Sequence, residues 1–284
     1  MKIPERILKK VEKPARYTGG EWGQIVKDKN AVDVRFAFCF PDTYEIGMSN
    51  LGVRILYDVL NARADTWCER AYAPWVDMEA CMREEHIPLW AHESGDPVSE
   101  FDIVGFSLQY ELCYTNVLNM LELAGIPLLA AERGDDAPVV VGGGPCTYNA
   151  EPIADYFDLF MIGEGEEVIC ELVSLYKEHK KQGFRKAAFL HEAAKIEGIY
   201  VPSLYEVSYH GDGTISSVSP KYDDIPVTIR KRIVKDMDKA PYPKTLVMPF
   251  IQTVQDKITL EVYRGCIRGC RFCQAGMTYR PVRE

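Results

Sequence analysis

Between residues 32 and 180, short apolar runs alternate with helical patterns, and this alternation constrains the fold more than anything else in the 284-residue sequence. Residues 32–40 read as a strand ending at Pro41. Leu51, Ile55, Leu56, Val59 and Leu60 recur at helical spacing, which predicts a helix starting near Ser49. Residues 66–71 and 75–85 read as the next strand and helix, 103–108 as an apolar strand, and 114–124 as an amphipathic helix. Residues 138–141 run into Gly142, Gly143 and Gly144; residues 159–162 run into Gly163, Glu164 and Gly165, with a helix to about Lys180. Such alternation predicts βαβ units, so the fold class is α/β with a doubly wound parallel sheet covered on both faces. These sheets bind ligands at the carboxyl ends of their strands. Glycines cluster at three of those ends: Gly47, Gly142 to Gly144, and Gly163 with Gly165.

A second feature lies far down the chain. Cys266, Cys270 and Cys273 are spaced Cys-x3-Cys-x2-Cys, and no histidine follows His210. A structural zinc site is closed and tetrahedral and wants four ligands. Here one loop supplies three thiols, so zinc would need a donor from a distance. Thiolates also hold iron–sulfur clusters, and three of them on a four-iron cube leave one iron open to an outside ligand. Packing as small hydrophobes is the third reading, and Arg268, Gly269 and Arg271 between the cysteines do not read as core.

This loop, with aromatic Phe272 before its last cysteine, resembles the signature of the radical S-adenosylmethionine (radical SAM) enzymes. The resemblance implies a 4Fe-4S cluster on Cys266, Cys270 and Cys273, with S-adenosyl-L-methionine bound at the open iron and Phe272 near its adenine. In that family, reductive cleavage of S-adenosylmethionine gives a 5′-deoxyadenosyl radical that abstracts hydrogen from a substrate. Residues 259–263 read as the strand that leads into the loop.

The loop after the first strand, Asp42-Thr43-Tyr44-Glu45-Ile46-Gly47, resembles the Asp-x-His-x-x-Gly element of cobalamin-binding domains. Ser107-Leu108 and the Gly142 to Gly144 run fall where that family has its Ser-x-Leu and Gly-Gly elements. The resemblance implies a cobalamin cleft lined by Asp42, Tyr44, Gly47, Ser107, Gly142, Gly143 and Gly144, with glycines that let the backbone approach the corrin. Tyr44 stands where the family has its cobalt-ligating histidine, and a phenol is a poor substitute for imidazole at a soft metal. A doubly wound domain without cofactor is the competing expectation.

The remaining segments fit around these two features. Residues 1–30, broken by Pro4, Pro14 and the Gly19-Gly20 pair, read as an extension laid over a Rossmann-like domain at 31–182. Residues 183–255 read as a helix, a hairpin of 199–207 with 215–218 turning at Asp212-Gly213, and a proline-rich connector. Residues 256–284 read as the first strand and loop of an incomplete radical SAM β/α barrel. Taken together the order resembles a bacterial branch of radical SAM proteins with an N-terminal cobalamin-binding-type domain, of which this chain is similar to the N-terminal part. That implies an enzyme in the longer protein and an inactive isolated piece. The rival reading is a non-catalytic α/β docking or ligand-binding module with a structural or vestigial cysteine loop.

Charge and cysteine usage bound partners and compartment. Residues 1–228 carry 21 Lys and Arg against 37 Asp and Glu, while residues 229–284 carry 12 against 5. The acidic part argues against a general nucleic-acid surface, whereas the basic tail suits RNA or another anionic substrate, or a plain solvated face. The family resemblance implies a reductant such as flavodoxin or ferredoxin. No apolar run is long enough for a membrane span, and nine cysteines without a secretory leader predict a cytoplasmic protein. Cys39, Cys68, Cys81, Cys113 and Cys170 read as core; Cys146 reads as core or cleft-facing. The five histidines carry no expected role beyond surface or structural placement.

Overall fold

The computed structural model describes residues 3–244, 246–255 and 257–284; of the expected segment boundaries, Met1 and Asp256 lie outside these. After a one-turn helix, α1 (Glu5–Leu8), the apolar runs become strands β1 (Val34–Phe40), β2 (Thr66–Tyr72), β3 (Ile103–Ser107), β4 (Val139–Gly143) and β5 (Leu159–Met161). Between and after them lie α2 (Tyr44–Gly47), α3 (Leu51–Asn61), α4 (Val76–Glu85), α5 (Tyr114–Ala124), α6 (Gly165–Lys181) and α7 (Lys186–Ala193). The strands pair in the order β2-β1-β3-β4-β5, all parallel, and β6 (Ile199–Tyr200) closes the edge antiparallel to β5. Every residue of β1, β2 and β3 is buried, as a sheet covered on both faces requires.

Local signals place the helices. The Asn50 side chain accepts a hydrogen bond from the Val53 amide at 3.0 Å and caps α3, and α5 ends at Gly125 in the left-handed conformation. Helices α3 and α6 pack on each other and on β1. Arg83 of α4 donates to Asn119 of α5 at 2.7 Å. Residues near the N-terminus pack on the sheet: Ile7, Val11 and Tyr17 are buried in the common core, and Arg16 makes a buried ion pair with Glu45 at 2.7 Å.

Two strand expectations are corrected. Residues 199–207 do not form one strand: β6 ends at Tyr200, a 3-10 turn follows at Pro202–Leu204, and only then does β7 (Tyr205–Tyr209) pair with β8 (Ile215–Pro220). Pro202 cannot donate to a ladder and breaks the run. Residues 259–263 are not a strand either. They have no ladder partner among the described residues, and Leu260, Val262 and Tyr263 are exposed. A one-turn helix, α8 (Ala275–Thr278), follows the last cysteine.

Candidate functional site

The strand order reverses between β1 and β3, which is where open α/β sheets leave a crevice at their strand ends. A cleft of ≈ 370 Å³ opens there, within the range that holds a drug-sized ligand. Its floor is apolar, from Phe36, Phe38, Leu56 and Val141, with Ser107, Gln109 and Asn50 as polar points. The Gln109 side chain donates to Ser107 Oγ at 2.6 Å. The opposite wall comes from far away in sequence: Lys231, Arg232 and Ile233, together with Thr278, Tyr279 and Arg280 from beyond the last cysteine. Tyr148 donates to the Thr278 carbonyl at 3.1 Å, and Lys231 Nζ to the same carbonyl at 2.9 Å.

Two glycines make this arrangement possible. Gly144 has φ +98°, and a Cβ there would lie 2.7 Å from the Leu108 carbonyl oxygen. Gly163 has φ +107°, and a Cβ would lie 2.2 Å from the Arg232 carbonyl oxygen. Only glycine lets the backbones approach this closely in that conformation. Residues 163 and 232 pair as a parallel bridge, so the connector is laid directly along the end of β5.

Of the residues expected to line a cofactor cleft, Ser107, Gly143 and Gly144 line this strand-end cleft. Four others do not. Asp42 accepts from the Tyr110 hydroxyl at 2.6 Å and from the Thr43 amide at 2.7 Å. Gly47 is backed by the Tyr72 ring, and Gly142 by the Phe160 ring. Tyr44 is 1% exposed and turned inward, its hydroxyl donating to Glu21 at 3.0 Å. The reason is the extension: Glu21 brings a carboxylate into the core, where Arg70 pairs with it at 3.2 Å and with Glu93 at 2.6 Å. Burial pushes the Tyr44 hydroxyl well up, and the Glu21 charge reinforces the shift. The loop after β1 therefore presents no protein ligand to a metal in the cleft. His92 belongs to the same buried cluster, its ring stacked on Tyr44 with centroids 5.7 Å apart. Cys146 is buried, and burial raises its thiol to about 11, so core packing describes it. Cys170 is half-buried rather than core.

The cysteine loop is held at its base. Arg264 and Arg283 pair as an isolated antiparallel bridge, each amide donating to the other's carbonyl at 2.9 Å, and residues 265–282 loop out between them. Cys266 and Cys273 are half-buried, Cys270 is exposed and Phe272 is 92% exposed. Among the described residues, no three His, Cys, Asp or Glu side chains are drawn together as a metal-ligand set. The donor set itself suits an iron–sulfur cluster, since the turn offers three thiols and no histidine or carboxylate.

Sequence reasoning missed the acid that anchors this loop. Glu164, just before α6, accepts from Arg283 Nη1 at 2.7 Å and Nη2 at 2.6 Å and from the Val234 amide at 2.5 Å, with Arg264 at 3.3 Å. Burial alone would raise its carboxyl, but the Arg283 hydrogen bonds, the Val234 amide and both guanidinium charges hold it below the usual carboxylate range. Arg232 is likewise paired, with Glu167 at 2.8 Å and Glu171 at 2.6 Å. Three of the tail's basic residues, Arg232, Arg264 and Arg283, are thus matched to the acidic start of α6, while Arg230, Arg268 and Arg271 stay exposed. The one legible signal was the Gly163-Glu164-Gly165-Glu166 run at a strand end.

Among solved structures, the radical S-adenosylmethionine methyltransferase TsrM from Kitasatospora setae, with tryptophan and a SAM analogue bound, aligns with 63% of this chain and 29% of its own, at 15% identity and a TM-score of 0.36. An uncharacterized protein of Methanocaldococcus jannaschii is 24% identical over 259 residues, 87% of this chain and 42% of that protein. The chain thus spans less than half the length of either. Among the described residues, no helix is long and apolar enough to cross a membrane. The model of the family described as radical SAM proteins, N-terminal, matches residues 52–202, which runs from the start of α3 to the edge strand β6 and takes in Ser107, Gly143, Gly144 and Glu164. The match covers more than half of the sequence, and the chain belongs to the radical SAM N-terminal family.

Proposed function

We propose that this chain is the front part of a radical SAM enzyme, in which Cys266, Cys270 and Cys273 hold three irons of a 4Fe-4S cluster and leave the fourth for S-adenosylmethionine. The observation that carries the reading is the Cys-x3-Cys-x2-Cys loop, whose own residues Thr278, Tyr279 and Arg280 also wall the strand-end cleft. A cluster held there would supply the electron for cleaving S-adenosylmethionine. The chain's part is to present three thiolates, to offer the exposed ring of Phe272 for an adenine to stack on, and to hold the loop against the cleft. The apolar floor and the Lys231 and Arg280 rim suit a flat ligand carrying an anionic group, and cobalamin is a candidate for that place. With Tyr44 turned inward, a corrin there would receive no cobalt ligand from the loop after β1. A flavodoxin or ferredoxin would supply electrons, and exposed Arg230, Arg268 and Arg271 would favour an anionic substrate such as RNA. The compartment that fits these parts is the reducing cytoplasm.

The test is reductive cleavage by the longer protein that contains this chain. Incubated anaerobically with dithionite and S-adenosylmethionine, it should release 5′-deoxyadenosine, and the C266A/C270A/C273A variant should not. Equal release by the variant would overturn the reading. The spread of the three cysteines favours a second reading, a ligand-binding module without chemistry. In that case the triple variant binds hydroxocobalamin as tightly as the parent and neither releases 5′-deoxyadenosine.

A further inference from the structure

We infer that Glu164 is a positioning residue that fixes the cysteine loop in register with the strand-end cleft. The loop's two arms meet in a backbone pair at the Arg264–Arg283 bridge, one residue before Gly265 and one before Glu284, and Arg280 Nη2 donates across to the Arg268 carbonyl at 3.1 Å. That bridge sets two guanidinium groups side by side, each with a side chain only 10% exposed. Like charges this close and this shielded repel unless an acid lies between them. Glu164 supplies it, with a side chain 13% exposed.

The two arginines depend on it unequally. Arg264 has two further carboxylates, Glu166 at 2.5 Å and Glu261 at 2.8 Å. For Arg283, Glu164 is the carboxylate partner, through two parallel hydrogen bonds, and the other side-chain acceptors are the Val234 and Pro281 carbonyls. Glu164 also accepts from the Val234 amide, and its own amide donates to the Arg232 carbonyl at 2.9 Å. One residue thus ties together β5, the first turn of α6, the connector and the far arm of the loop. Two parallel N–H···O bonds fix direction as well as distance, which is what registering a loop requires. The acid also sits at the positive end of a 17-residue helix, which favours its charge.

That the loop so positioned carries a cluster rests on the proposed function; the latch itself does not, and its test needs no iron. Hydrogen exchange at the Arg264 and Arg283 amides reports the bridge directly. In E164Q both should exchange about tenfold faster or more, because losing one partner of a shielded ion pair strands the other charge, while amides of β1, β3 and β4 keep their protection. R283Q should do the same, and the double variant should be no faster than either single, since both remove one interaction. E164D, which keeps the charge, should recover part of the protection. Unchanged exchange at residues 264 and 283 in E164Q would overturn the inference. So would equal acceleration in the strands, which would make Glu164 a general support of the fold, or full additivity of the two substitutions.

Discussion

His92 is a buried base among charges: Glu21 lies 3.9 Å from Nδ1, Arg70 is close by, and Tyr44 and Tyr72 cover its ring. Burial, helped by the Arg70 charge and opposed by Glu21, lowers its pKa from 6.5 to about 4. The unfolded chain takes up this proton first as pH falls, so stability is lost between 6.5 and about 4, by about 3 kcal/mol for this group. Glu21, whose carboxyl is held below 4.5 against burial by Arg70 and His92, stabilises above that value and gives up its share only lower still. Urea unfolding across this window should show the slope in the parent and a shallower one in H92Q; parallel slopes would contradict it. Y44F, which takes the hydroxyl from Glu21, should cost about 1–3 kcal/mol in the same assay and leave ligand binding in the cleft unchanged. The sequence motif marked Tyr44 as a departure from the cobalamin pattern. It could not show that Glu21, 23 residues upstream, is what claims the hydroxyl.

At the scale of elements, strands that are buried on both faces announce themselves: residues 34–40 and 103–107 are unbroken in burial and almost so in hydrophobicity. Helices were legible from spacing and caps. Replacing Asn50 by alanine should cost about 1 kcal/mol by loss of the α3 cap, read as a lower urea midpoint with an unchanged slope. Pairing partners were not legible, because a ladder is made with residues that spacing does not identify. Residues 259–263 have strand-like composition and no ladder among the described residues, and the short β6 splits off from what looked like one longer strand. The bridge between Gly163 and Arg232 is of the same kind. G163A should destabilise by about 1–3 kcal/mol through backbone strain alone, with more from the clash at Arg232, and should free the connector to proteolysis before the sheet.

For the whole molecule, part of the charge asymmetry of the sequence becomes an internal match, while Arg230, Arg268 and Arg271 stay exposed. Arg232, Arg264 and Arg283 meet Glu164, Glu166, Glu167 and Glu171 at the start of α6, across separations of up to 119 residues. Composition displayed the two signs but not their meeting. This match holds residues 278–280 beside the strand-end cleft, so that the glycine-lined strand ends and the loop of residues 265–282 share walls. Iron binding by Cys266, Cys270 and Cys273 is open to anaerobic reconstitution of the proposed longer protein with iron and sulfide, followed by metal analysis and low-temperature EPR of the reduced sample. The expected result is about four irons per chain and a reduced-cluster signal, both lost in C266A/C270A/C273A; iron retained in that variant, or no iron taken up by the parent, would contradict the proposed cluster.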